Sequence, residues 1–129
     1  MLTVLEAMQS SAETFTALRR DLHQHPEIGF QEFRTSDIVA QRLRDWGYEV
    51  TLGLGGTGVV GQLHKGNGTR RLGLRADMDA LPIQEATGLP HASCHEGLMH
   101  ACGHDGHTAM LLSAAEYLAA NGNFQGTLN

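Results

Sequence analysis

Apolar positions near the start of the chain recur every three or four residues. Leu5, Met8, Ala12, Phe15, Leu18 and Leu22 trace one face of an amphipathic helix. Thr3-x-x-Glu6 and Ser10-x-x-Glu13 each have the form of a capping box. Pro26 closes this helix, because the residue before a proline is driven out of the α region. A second helix is expected over roughly residues 31–46, with Phe33, Ala40, Leu43 and Trp46 on one side. Gly47 then stands where a helix ends in the left-handed conformation.

The pattern now changes to alternation. Tyr48, Val50 and Leu52 alternate with Glu49 and Thr51, as in a half-buried strand. Residues 59–64 and 70–76 read as two further strands, joined by Lys65-Gly66-Asn67-Gly68, a turn of hairpin character. If the chain stays extended, Leu72, Leu74 and Ala76 share one side while Arg75, Asp77 and Asp79 share the other. Residues 80–103, punctuated by Pro82, Gly88, Pro90 and Gly97, read as loop. A very apolar third helix is expected from about residue 105 to 120, ended by Asn121-Gly122. Residues 124–129 resemble the start of another strand. The order α-α-β-β-β-loop-α-β predicts an α/β fold with a sheet between helices.

Composition narrows the function classes. A length of 129 residues suits one domain, residues 1–129, and 41% hydrophobic with 18% charged residues is a globular balance. The net charge of −5 offers no basic stripe for nucleic acid, and Arg19-Arg20 and Arg70-Arg71 are isolated pairs. No apolar run is long enough to cross a bilayer. Glu6 and the lack of a basic leader argue against a secretory signal, so a soluble cytoplasmic chain is expected. The two cysteines, Cys94 and Cys102, are expected to be free thiols or metal ligands in such a compartment.

The densest chemistry lies in Met99-His100-Ala101-Cys102-Gly103-His104-Asp105-Gly106-His107. Thiolate, imidazole and carboxylate are the side-chain ligands of zinc and related metals. Cys102 and His104 are the expected ligands, since residues two apart in an extended approach project to the same side. His107 follows one helical turn later and could face the same cavity, as could His100 from the loop; either could equally lie outside it. Asp77 and Asp79 fall at a strand end, where a carboxylate orients a ligating imidazole, binds metal, or simply forms a turn. His23 and His25 do not share a helical face and are read as structural or surface residues. Gly53-x-Gly55-x-x-Gly58 matches a dinucleotide fingerprint in letters only. A strand-like run follows it, so it reads as a glycine loop between strands.

Three stretches taken together resemble a known family. They are Leu22-His23-Gln24-His25-Pro26-Glu27-Ile28-Gly29-Phe30, then Leu74-Arg75-Ala76-Asp77-Met78-Asp79-Ala80-Leu81-Pro82, then the cysteine–histidine stretch through Thr108-Ala109-Met110. They resemble the M20 peptidases, in the amidohydrolase branch that includes hippurate hydrolases and indole-acetyl-amino-acid hydrolases. The resemblance implies the N-terminal portion of a three-layer α/β/α metallohydrolase catalytic domain, often homodimeric, without the lid domain. It implies two divalent metal ions (zinc, manganese, cobalt or nickel) and a small-molecule N-acyl amino acid substrate cleaved at its amide. By residue match, Cys102 and His104 are metal ligands and Asp79 is the acidic residue supporting the site. The family's later Gln-Pro-Ala-Glu-Glu segment, with its general-base glutamate, has no counterpart here. The chain alone is therefore expected to be inactive and to leave an unpaired sheet edge. Two other readings stand beside this one: a non-catalytic metal module built on Cys94, His95, Cys102 and His104, and a fragment that complements a separate piece.

Overall fold

The computed structural model describes residues 1–129 as four helices and four strands. The first expected helix is in fact two, α1 over Val4–Ser10 and α2 over Ala12–Gln24. The break is at Ser11, with φ −101° and ψ 0°. The hydroxyls of Ser10 and Ser11 donate back to the carbonyls of Ala7 and Met8, the local competition by which serine interrupts a helix. The cap position of α2 falls on Ser11 rather than Ser10 and makes no side-chain cap bond, so only the Thr3–Glu6 capping box forms. The apolar stripe survives in α2, where Phe15, Leu18 and Leu22 are buried, whereas Leu5 faces solvent.

Helix α3, Phe33–Asp45, buries Val39, Ala40 and Leu43 as its periodicity requires. Phe33 departs from expectation and is 64% exposed. Glu27 is the reason: its carboxylate accepts from the backbone N–H groups of Arg34 and Thr35 and from the Thr35 hydroxyl. The preceding chain thus folds over Thr35, and Phe33 is left outside. Gly47 follows with φ +85°, the left-handed helix end its position foretells.

Strands β1, Glu49–Leu54, and β2, Gly58–Lys65, form an antiparallel hairpin around the glycine run. That run opens no helix, which removes the dinucleotide reading. The next strand is much shorter than its pattern suggests: β3 is only Arg71–Leu72. It does not pair with β2. After α4, His104–Asn121, strand β4 over Gly126–Leu128 inserts between them, giving the order β1-β2-β4-β3. β4 runs antiparallel to β2 and parallel to β3. Residues 65–68 are therefore no hairpin but a connection shaped around Gln125. A Cβ on Gly68 would stand 2.4 Å from the Gln125 carbonyl oxygen, and the Asn67 N–H donates to the Gln125 side chain. With only β4 as a partner, the chain after Leu72 leaves strand geometry, and Leu72 and Leu74 are exposed.

One core joins all of this. Phe15, Leu18 and Leu22 of α2 meet Val39 and Leu43 of α3, Leu112 and Ala115 of α4, and Leu128 of β4. Tyr48 completes it, its hydroxyl donating to the Ala115 carbonyl at 2.8 Å. No helix is long and apolar enough to cross a membrane. The stretch after β3 is pinned at both ends. Leu74 N–H donates to the Asn129 carbonyl, and Ala80 N–H donates to the Glu27 carbonyl. That pinning sets Asp77 and Asp79 against the start of α4.

Candidate metal centre

Helix α4 begins abruptly. Gly103, immediately before it, has φ +83°, a conformation in which a side chain would be strained. This turn delivers His104, Asp105 and His107 into the first helical turn, and their side chains separate by helical phase. His104 and His107 face the stretch after β3. Asp105 points the other way and is 3% exposed.

His104 Nδ1 lies 2.8 Å from the Asp79 carboxylate and 3.0 Å from the Asp79 carbonyl oxygen. Both partners only accept, so Nδ1 carries a proton and Nε2 is the nitrogen turned toward the other groups. Nε2 in turn sits 3.6 Å from Asp77 Oδ2. His107 Nδ1 lies 2.8 Å from Asp77 Oδ1, and this hydrogen bond holds the Asp77 carboxyl below its ordinary range. The Thr108 hydroxyl adds a bond to the Asp77 carbonyl at 3.0 Å. Potential ligand atoms of Asp77, His104 and His107 all lie within 4.8 Å of one another. A carboxylate and two imidazoles, one oriented by a second carboxylate, form a donor set that fits a divalent transition metal.

The residues expected from the sequence divide accordingly. Asp79 and His104 are bonded to each other. Cys102 is an exposed free thiol just ahead of the helix, outside the tight trio although two residues from His104. Asp77 and His107, whose roles the sequence leaves open, are in the trio. His100 is not: its ring is buried, burial pushes its imidazole below the ordinary range, and neither ring nitrogen has a partner. The alternative module built on Cys94, His95, Cys102 and His104 is not assembled. Cys94 donates to the Gln24 carbonyl, and His95 lies against the His25 ring.

Residues 73–129 match the profile of Peptidase family M20/M25/M40. The chain is 57% identical over 115 residues to a hippurate hydrolase of Campylobacter jejuni, covering 89% of this chain and 30% of that protein. The chain belongs to the M20 peptidase family. Among solved structures, it superposes on an aminohydrolase, described as putative, from methicillin-resistant Staphylococcus aureus with a TM-score of 0.92 and 41% identity. That match covers 97% of this chain and 32% of the other. A second match, at TM-score 0.86 and 38% identity, is the YXEP protein of Bacillus subtilis, a dinuclear metal-binding peptidase of the M20 family. It covers 93% of this chain and 34% of that one. The chain thus has the α/β fold of the corresponding part of M20 enzymes and spans about a third of their length.

Sequence reasoning read His23 as structural or surface and gave Glu85 and Asp105 no role. His23 Nδ1 lies 2.8 Å from Asp105 Oδ2, and its Nε2 lies 3.0 Å from Glu85 Oε1. Nothing in their spacing could reveal this, since 82 and 62 residues separate the partners.

Proposed function

We propose that this chain forms part of the metal-binding half of an amidohydrolase that cleaves N-acyl amino acids at the amide. The observation that carries the reading is the Asp79–His104 pair, a carboxylate orienting an imidazole whose Nε2 faces a second carboxylate and a second imidazole. Cys102 and His104 are assigned as metal ligands, with Asp79 orienting His104 and Asp77 and His107 beside it. Zinc, manganese, cobalt and nickel all suit such ligands. Two divalent ions held there would polarise the substrate carbonyl and lower the pKa of a bound water. Similarity to a hippurate hydrolase supports an N-acyl amino acid as the substrate class.

Within the chain itself, each nearby residue has a defined task. Asp79 fixes the His104 tautomer and ring plane. Asp77 holds His107 and keeps its carboxyl ionised over the neutral range. Both site carboxylates are bonded to imidazoles through one oxygen, which gives each an orienting task. We therefore assign metal binding, and not turnover, to these residues alone.

Metal content of the purified chain tests the reading, with Cys102→Ser, His104→Ala and His107→Ala alongside. Stoichiometric zinc or manganese, lost in Cys102→Ser and His104→Ala, supports it. The same content in every variant, or none in any, overturns it. Retention in Cys102→Ser with loss in His107→Ala moves the ligand assignment to the Asp77, His104 and His107 trio.

A further inference from the structure

We infer that His23 is a positioning residue for His104, acting through Asp105 and the first turn of α4. The inference rests on reading His104 as a metal ligand. The two residues sit on different elements and do not touch, so the case is built from the contacts between them.

Consecutive helix residues point about 100° apart. Asp105 therefore leaves α4 toward α2 while His104 leaves it toward Asp79. On the α2 side, Asp105 Oδ2 accepts from His23 Nδ1 at 2.8 Å and from Arg19 Nη1 at 3.1 Å. The two donors are unequal. The Arg19 side chain is 36% exposed, whereas those of His23 and Asp105 are 8% and 3% exposed. The buried histidine contact is the shorter and the stiffer. His23 is itself clamped from behind by Glu85, which also accepts from the Ser93 N–H and the Thr87 hydroxyl.

On the opposite side of the same turn, His104, His107 and Thr108 bond to Asp79 and Asp77. The rotation of α4 about its axis is thus set by a bracket, with Asp105 on one arm and His104 on the other. A rotation of roughly 15° carries an atom about 6 Å off the axis through about 1.5 Å, enough to break a hydrogen bond. Releasing Asp105 from His23 leaves only the partly exposed Arg19 bond on that arm, which loosens the first turn of α4 and the Nδ1–Asp79 bond that aims His104 Nε2. His23 touches no ligand atom of the trio. Its part is to hold the helix phase.

Two substitutions separate this role from simple core filling. Asn places its amide near the Nδ1 position, so His23→Asn keeps a donor for Asp105. Gln places its amide near Nε2, so His23→Gln keeps only the Glu85 contact. The readout is the ring 15N spectrum of His104 in the metal-free 129-residue chain, which reports whether Nδ1 carries the bonded proton. Zinc affinity, measured against a chelator, is the second readout. Expected is a His104 signature preserved in His23→Asn and lost in His23→Gln, with zinc binding weakened about tenfold or more only in the latter. If the two variants behave alike, both preserving or both losing the signature, by unfolding or otherwise, the inference is wrong and His23 is structural. If the parent chain binds no zinc, the metal reading fails, while the metal-free spectra still decide the role of His23.

Discussion

Asp79 holds His104 twice, through its carboxylate at 2.8 Å and through its own carbonyl oxygen at 3.0 Å, both facing Nδ1. The two residues are 25 positions apart, and each arrives by a different route. Asp79 comes at the end of a stretch clamped by the Ala80–Glu27 backbone bond, and His104 comes on the turn that Gly103 makes possible. A histidine held at one nitrogen by two acceptors presents the other in a fixed direction, as a metal ligand requires.

Asp79→Ala should therefore weaken metal binding without removing a ligand. Loss of such an orienting carboxylate typically costs about 10- to 100-fold in affinity. Zinc competition against a chromophoric chelator measures it. Unchanged affinity would mean that the carbonyl contact alone orients the ring.

Lys65 caps the far end of α4. Its Nζ donates to the carbonyls of Leu118, Ala119 and Gly122 at 2.8–2.9 Å and lies 5.4 Å from the Phe124 ring centre. Lys65→Met keeps much of the stem but leaves those carbonyls without the ammonium. A loss of about 1–2 kcal/mol in unfolding free energy is expected, read from urea denaturation by circular dichroism. An unchanged midpoint would show that solvent replaces the ammonium at no cost.

Glycines near the sheet divide sharply. A Cβ at Gly68 would collide with the Gln125 backbone at 2.4 Å, whereas one at Gly73 meets nothing within 4 Å. Gly68→Ala should destabilise the chain by about 2 kcal/mol or more, and Gly73→Ala by less than about 0.5 kcal/mol. Equal thermal midpoints for the two variants would contradict the insertion of β4 beside residues 65–68.

Burial raises the Tyr48 phenol above its ordinary value of 10.0. The folded chain therefore holds this proton more tightly than the unfolded chain. The resulting stability is fully present below pH 10 and lost as pH rises through the higher folded value. Tyr48→Phe should lower stability at neutral pH by about 1 kcal/mol through the lost Ala115 bond. It should also flatten the alkaline fall. An alkaline transition of the same steepness in Tyr48→Phe would assign that fall to another group.

Helix faces were legible where local periodicity and burial coincide. The α2 stripe of Phe15, Leu18 and Leu22 and the α3 positions Ala40 and Leu43 are buried as the pattern requires. The helix stop at Gly47 and the glycine loop between β1 and β2 were legible for the same reason, since both depend on a few adjacent residues. Phe33 was misread because the Glu27 cap that displaces it comes from outside the helix. The site was legible in part. Ligand-type residues crowd within a short stretch, so Asp79, Cys102 and His104 stood out, but their spacing could not say which would meet.

By itself, then, the sequence determined the local elements and the supply of metal-seeking side chains, because both follow from neighbours within a turn or a strand. Only the tertiary structure decided that β4 enters between β2 and β3, that Asp77 and His107 join His104, and that His23 braces Asp105. Those between elements are contacts across 27 to 82 residues or a choice among strand partners. Their geometry is set by how helices and sheet share one core, which no local pattern encodes.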